Sequence, residues 1–103
     1  MSTGHGLYFD RHGQPIGLQE MARLWGDQAY RVVAEDWIGE VEVSTRWLGF
    51  DQSFRGAVPI IFETIVFGGR MDQYKRRYTT EDAAVSGHAQ IVARVERALR
   101  PRP

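Results

Sequence analysis

Along residues 40–48 polar and apolar side chains alternate almost without a break, with Val41, Val43, Thr45 and Trp47 on one side and Glu40, Glu42, Ser44 and Arg46 on the other. A period of two with one polar side predicts an antiparallel strand that rests one face on a core and turns the other to water. Residues 30–37 before it also have strand character, and Ile38-Gly39 supplies a turn between the two runs. Residues 60–67 after it are apolar on both sides except at Glu63 and Thr64. That pattern predicts a central strand covered on both faces, by a helix on one of them. Gly68-Gly69 ends it. Residues 74–78 predict an edge strand, where Lys75, Arg76 and Arg77 would discourage further pairing.

Helical spacing shows twice. Leu18, Met21, Ala22, Leu24 and Trp25 recur at helical intervals, with Gly26-Asp27 as a stop. Ala84, Val85, His88, Ile91, Val92, Val95 and Leu99 form a longer apolar stripe. Thr79-Thr80-Glu81-Asp82 opens that second helix with a capping hydroxyl and carboxylates that suit the helix dipole. Upstream, Leu7-Tyr8-Phe9, a polar cluster at residues 10–13 and Pro15-Ile16-Gly17 read as a strand and turn, or a small hairpin. The expected fold is α+β: an antiparallel sheet of four to five strands, a long C-terminal helix on one face and a short N-terminal helix. Residues 1–6 and 100–103 read as flexible ends, leaving residues 7–99 as one domain.

Composition narrows the classes. The chain has 103 residues, 13 Lys plus Arg against 13 Asp plus Glu, and no Cys. Zero net charge argues against bulk attraction to nucleic acid or membrane. The absence of Cys removes disulfides, thiolate metal sites and a cysteine nucleophile. No apolar run reaches the roughly 20 residues a bilayer span needs, and the N-terminus lacks a signal-peptide layout. A cytoplasmic protein is the expectation. No phosphate loop, nucleophile elbow or zinc-protease motif occurs, and neither a cofactor nor a metal site is expected.

Glu63 interrupts an apolar strand, and a carboxylate there is costly unless paired. It is a candidate ligand anchor or general base, or else the partner of an Arg on a neighbouring strand or a solvent-facing position on an uncovered patch. His88 lies on the apolar stripe next to Gly87, a candidate acid/base with Glu63 or a hydrogen-bonded core residue. Residues 70–103 carry eight basic and four acidic side chains, so the rest of the chain is net acidic. Such a dipolar chain can pair head to tail with itself. Arg76 and Arg77 beside Tyr78 are candidates for a phosphate and a stacked base, or for an edge-strand guard. Residues 49–58 predict a long loop, in which Phe50 and Phe54 are candidate partner contacts, as is Trp37 at its turn.

Three blocks carry a resemblance: Ser44-Thr45-Arg46-Trp47-Leu48-Gly49-Phe50-Asp51, Ile61-Phe62-Glu63-Thr64-Ile65-Val66-Phe67-Gly68, and Arg77-Tyr78-Thr79-Thr80-Glu81-Asp82-Ala83 with Gly87-His88. In this order they resemble a group of short bacterial, mainly actinobacterial, and phage or prophage proteins of no known activity. The chain departs from that pattern at Arg46 and Gln52. The resemblance implies a phage-type setting in a bacterial host cell and points to Glu63, Thr64 and His88, while those departures weaken any role for the 49–58 loop; Arg46, Phe50 and Asp51 complete the candidate ligand- or partner-binding positions. The expected function is a non-enzymatic accessory protein that binds a host protein or sequesters a small anionic, nucleotide-like ligand. Two alternatives stand beside it: a virion or assembly component that self-associates as a homo-oligomer, and a small enzyme using Glu63 and His88.

Overall fold

The computed structural model describes residues 7–53 and 58–101. The expected looseness at residues 1–6, Phe54 and the last two residues lie outside the described part. Strands β1 (Tyr8–Phe9) and β2 (Pro15–Ile16) form a small antiparallel hairpin. Helix α1 (Leu18–Trp25) and the single turn α2 (Gln28–Arg31) follow. Strands β3 (Val32–Ile38), β4 (Val41–Trp47), β5 (Phe62–Phe67) and β6 (Lys75–Tyr78) then make one antiparallel sheet in the order β3-β4-β5-β6. Helix α3 (Glu81–Leu99) closes the chain and crosses all four strands. The architecture is the expected α+β fold, with a four-stranded main sheet and the hairpin as a separate small one.

The sequence explains most element boundaries. Asp27 caps α2 by accepting a hydrogen bond from the Tyr30 amide, which draws Tyr30 and Arg31 out of the strand that the pattern predicts. Gly39, at φ 61°, makes the tight β3–β4 turn, where a residue with a side chain would be strained. Thr80 accepts from the Ala83 amide and starts α3 as expected.

The core lies between α3 and one face of the sheet, in two apolar groups. Phe9, Met21, Leu24, Trp47, Ile61, Phe62, Tyr78 and Ala84 form one; Val41, Val43, Val66, Ile91 and Val95 form the other. Trp47 anchors the hairpin by donating its indole N–H to the Phe9 carbonyl at 2.8 Å, and it packs edge-on against Tyr30. Two expectations need correction. Val85 and Leu99 are about half exposed, because they lie on the flank of the line Ala84, His88, Ile91 and Val95 that the helix buries. The β5 run is covered on one face only: Phe62, Thr64 and Val66 point under α3, while Glu63, Ile65 and Phe67 point to the open side. No helix among the described residues is long and apolar enough to cross a membrane.

Candidate functional site

Strand alternation assigns every candidate residue to one of two faces. Under α3, the two apolar groups are separated by a chain of polar side chains. Asp36 Oδ2 lies 2.7 Å from His88 Nε2, and His88 Nδ1 lies 2.7 Å from Thr45 Oγ1. Thr45 Oγ1 meets Thr64 Oγ1 at 2.5 Å, and Thr64 meets the Tyr78 hydroxyl at 2.9 Å. Each hydroxyl donates once if the neutral His88 ring carries its proton on Nε2: Tyr78 donates to Thr64, Thr64 to Thr45, Thr45 to Nδ1, and Nε2–H to the Asp36 carboxylate. Burial pushes the Tyr78 phenol up from its ordinary range, against the hydrogen bond to Thr64.

Asp-His-hydroxyl is the grouping of a nucleophilic triad, yet here it has no room for a substrate. Thr45 and Thr64 are fully buried, and His88 is buried beneath its own helix. Only Asp36, with 57% of its side chain exposed, reaches water. The chain instead satisfies polar groups that would otherwise be orphaned in the core, and it fixes the position of α3 on the sheet. Gly87 belongs to the same arrangement. A Cβ there would come within 2.3 Å of the Tyr78 ring, so the ring reaches its position only because residue 87 has no side chain.

The other face of the sheet is open. It carries Glu35 and Trp37 from β3, Glu42, Ser44 and Arg46 from β4, Glu63, Ile65 and Phe67 from β5, and Lys75 and Arg77 from β6. A shallow groove of about 330 Å³ runs over its centre, between Glu42 and Phe67 at one end and Arg46 and Glu63 at the other. Trp37 is 63% exposed and Phe67 41%. Glu63 is paired with Arg77 at 2.9 Å, so the strand carboxylate is held by an Arg of the neighbouring strand. Arg46 donates to Ser44 Oγ at 3.1 Å. Glu42 shares a hydrogen bond with Glu35, and this, with partial burial and the Glu35 charge, raises its carboxyl above the ordinary 4.5.

Glu63 and His88 therefore lie on opposite faces of the sheet, and the acid/base pair expected of them is not assembled. The reason is parity: Thr64, not Glu63, shares the helix side with His88. Arg76, Arg77 and Tyr78 are likewise split, with Arg77 on the open face and Tyr78 in the core. Arg76 turns instead toward α3, where it and Arg94 both donate to the Tyr74 hydroxyl, at 3.1 and 3.3 Å. These two hydrogen bonds, reinforced by the positive charges, pull the Tyr74 phenol below its ordinary 10.0. Phe50 stacks on Trp25, with ring centroids 6.0 Å apart. Asp51 ties the ends of its loop together by accepting from the Ser53 and Ile60 amides, which outweigh burial and hold its carboxyl below 3.8.

A second concavity, of about 550 Å³, lies between the hairpin turn at residues 11–13, Pro59 and residues 79–82. Across it Arg11 makes a two-point ion pair with Glu81 at 3.0 and 2.6 Å. That pairing raises the Arg11 guanidinium and lowers the Glu81 carboxyl.

Sequence reasoning missed Asp36 and Thr45 as partners of His88. A signal was present: Thr45 and Thr64 are polar residues at core parity on adjacent strands, opposite a His on an apolar stripe. It also took β5 as covered on both faces, although Glu63 offered the alternative of an uncovered patch. No group of three or more potential metal ligands occurs among the described residues. Comparison with known protein families, with curated proteins and with solved structures found no match to this chain.

Proposed function

We propose that this chain is a small, non-catalytic binding protein whose working surface is the open face of the main sheet. The observation that carries the reading is the array of Trp37, Ile65 and Phe67, set among charges on a face that no element among the described residues covers. Exposed aromatic side chains next to Arg are the composition of protein recognition surfaces rather than of a solvated sheet face. The sealed Asp36-His88-Thr45 chain supports the non-catalytic part, because its hydroxyls are withdrawn from any substrate. In the phage-type setting that the resemblance implies, the partner would be a protein of the host cell or of the virion.

The test is capture by immobilised protein from a bacterial lysate, with wild type beside the Trp37→Ala/Phe67→Asp variant and both checked for folding by circular dichroism. A captured protein that is identified by mass spectrometry, rebinds when purified and is lost with the variant supports the reading. Capture that is indifferent to the variant removes it, as does a protein that captures nothing and stays monomeric.

One observation favours a second reading, the sequestering of a small anion: Arg76 and Arg94 converge on the Tyr74 hydroxyl at the edge of the helix side. Guanidinium pairs of this kind recognise phosphate and carboxylate. Calorimetry with inorganic phosphate and a nucleoside monophosphate, against the Arg94→Gln variant, decides it.

A further inference from the structure

From the arrangement of charges on the open sheet face we infer that its occupant is a second copy of this chain, packed face to face about a two-fold axis running along the strands between β4 and β5. The inference rests on the open-face reading above and names its partner.

The charges on this face are sorted across the strands. Glu35 and Glu42 lie at the β3–β4 side, whereas Lys75 and Arg77 lie on β6 at the opposite edge. Two copies can stack these faces with a two-fold axis either across the strands or along them. An axis across the strands through the Ser44–Ile65 row sets β3 on β3 and β6 on β6, so that Glu35 meets Glu35 and Lys75 meets Lys75, and Glu42 over Arg46 is the attraction left to set against them. An axis along the strands sets β3 over β6 and β4 over β5, so that acidic side meets basic side. Electrostatics therefore selects the second arrangement.

The register then names the contacts. Glu35 pairs with Ser44, Ser44 with Ile65, and Ile65 with Lys75, so all four stand at one height across the sheet. Rotation about an axis along the strands preserves that height and exchanges the edges. Glu35 of one copy thus comes to lie opposite Lys75 of the other, twice over. By the same rule Arg46, in register with Glu63, faces Glu63 of the second copy. Ile65 likewise faces Ser44 and Phe67 faces Glu42 of the second copy, with Trp37 at their margin. Packed sheets are rotated by about 30° and separated by about 10 Å, an offset that the long Lys75 and Arg46 side chains can span.

The arrangement also answers a local imbalance. Glu42 and Glu35 lie on one face of adjacent strands within one copy, and Lys75 of the second copy supplies a cation beside Glu35. At about 4.8 Å between strands and 3.3 Å per residue, four strands of six residues give a footprint of roughly 400 Å² per copy. Over both copies that is about 800 Å², below the roughly 1,200–2,000 Å² of stable complexes and in the range of weak, transient ones, so the dimer should appear only at high protein concentration.

Sedimentation equilibrium from micromolar to about 0.5 mM protein tests the inference. The expected mass rises with concentration from 11.8 kDa toward twice that value. Glu35→Lys alone opposes Lys to Lys, and Lys75→Glu alone opposes Glu to Glu; both sites are exposed, so the fold is kept. Each single variant should stay monomeric, and an equimolar mixture of the two should recover the dimer, since both cross-pairs then carry opposite charges. A wild-type monomer at every concentration overturns the inference, as does a dimer that ignores both reversals. If the protein is monomeric but still captures a partner through Trp37 and Phe67, the open-face reading survives with another occupant. If it is monomeric and captures nothing, both fall.

Discussion

Replacing Gly87 by Ala puts two opposing effects on one atom. In an exposed helix the change would stabilise by about 1 kcal/mol, because Ala is the better helix former. Here the new methyl would stand 2.3 Å from Tyr78 Cε1, 2.4 Å from its hydroxyl and 2.6 Å from Cζ, all far inside contact distance. Tyr78 cannot yield easily. Its ring is buried against Phe62 and Ala84, and its hydroxyl is fixed by Thr64. Overpacking a core costs about 1–3 kcal/mol, and detaching the Tyr78 hydroxyl from Thr64 adds about 1–3 kcal/mol for a buried group left unpaired. Set against the helix gain, the net loss is about 1–5 kcal/mol. For a domain of this size, at about 4–8 °C per kcal/mol, Tm falls by at least about 4 °C. Thermal and urea unfolding followed by circular dichroism measure it. A control isolates the cause: in a Tyr78→Ala background the ring is gone, and Gly87→Ala should become neutral or stabilising. A Gly87→Ala protein as stable as wild type would refute the close-packing argument, and an equal loss in both backgrounds would show that Tyr78 is not its cause.

Two further perturbations test the polar chain and the open face. Thr45→Val keeps shape but removes the hydroxyl that joins His88 Nδ1 to Thr64; two buried groups lose a partner, and urea unfolding should show a loss of about 2–3 kcal/mol, whereas an unchanged midpoint would mean that the chain contributes nothing. Glu42→Gln removes one of two adjacent carboxylates whose mutual hydrogen bond and charge raise Glu42 above 4.5. A raised carboxyl favours the folded state at low pH and loses that advantage as pH rises through its folded value. The variant should therefore unfold a degree or two above wild type at pH 7, consistent with about 0.3 kcal/mol for a like-charge cross-strand pair, and the gap should close below pH 4. A gap that widens in acid would contradict the pairing with Glu35.

The sequence alone determined the secondary structure and the fold class, because these depend on local patterns. Strict alternation over residues 40–48 leaves β4 one buried face, the Thr80 hydroxyl with the two acids after it can only begin a helix, and Gly39 permits the tight turn between β3 and β4. Where short-range capping competed with the apolar pattern, as at Asp27 and Tyr30, the cap prevailed and shifted a boundary. What the sequence left open was which residues meet. Glu63 and Thr64 are neighbours in the chain, but strand pleating sends one to Arg77 on the open face and the other to Thr45 in the core. Asp36 and His88 are 52 positions apart, and only the docking of α3 across β3 brings them to 2.7 Å. The apolar run of β5 reads as buried on both sides because composition records hydrophobicity and not coverage. Whether Ile65 and Phe67 meet a helix, water or another molecule depends on what the rest of the chain places above them, and a long-range property of that kind is fixed only when the sheet and helix have packed.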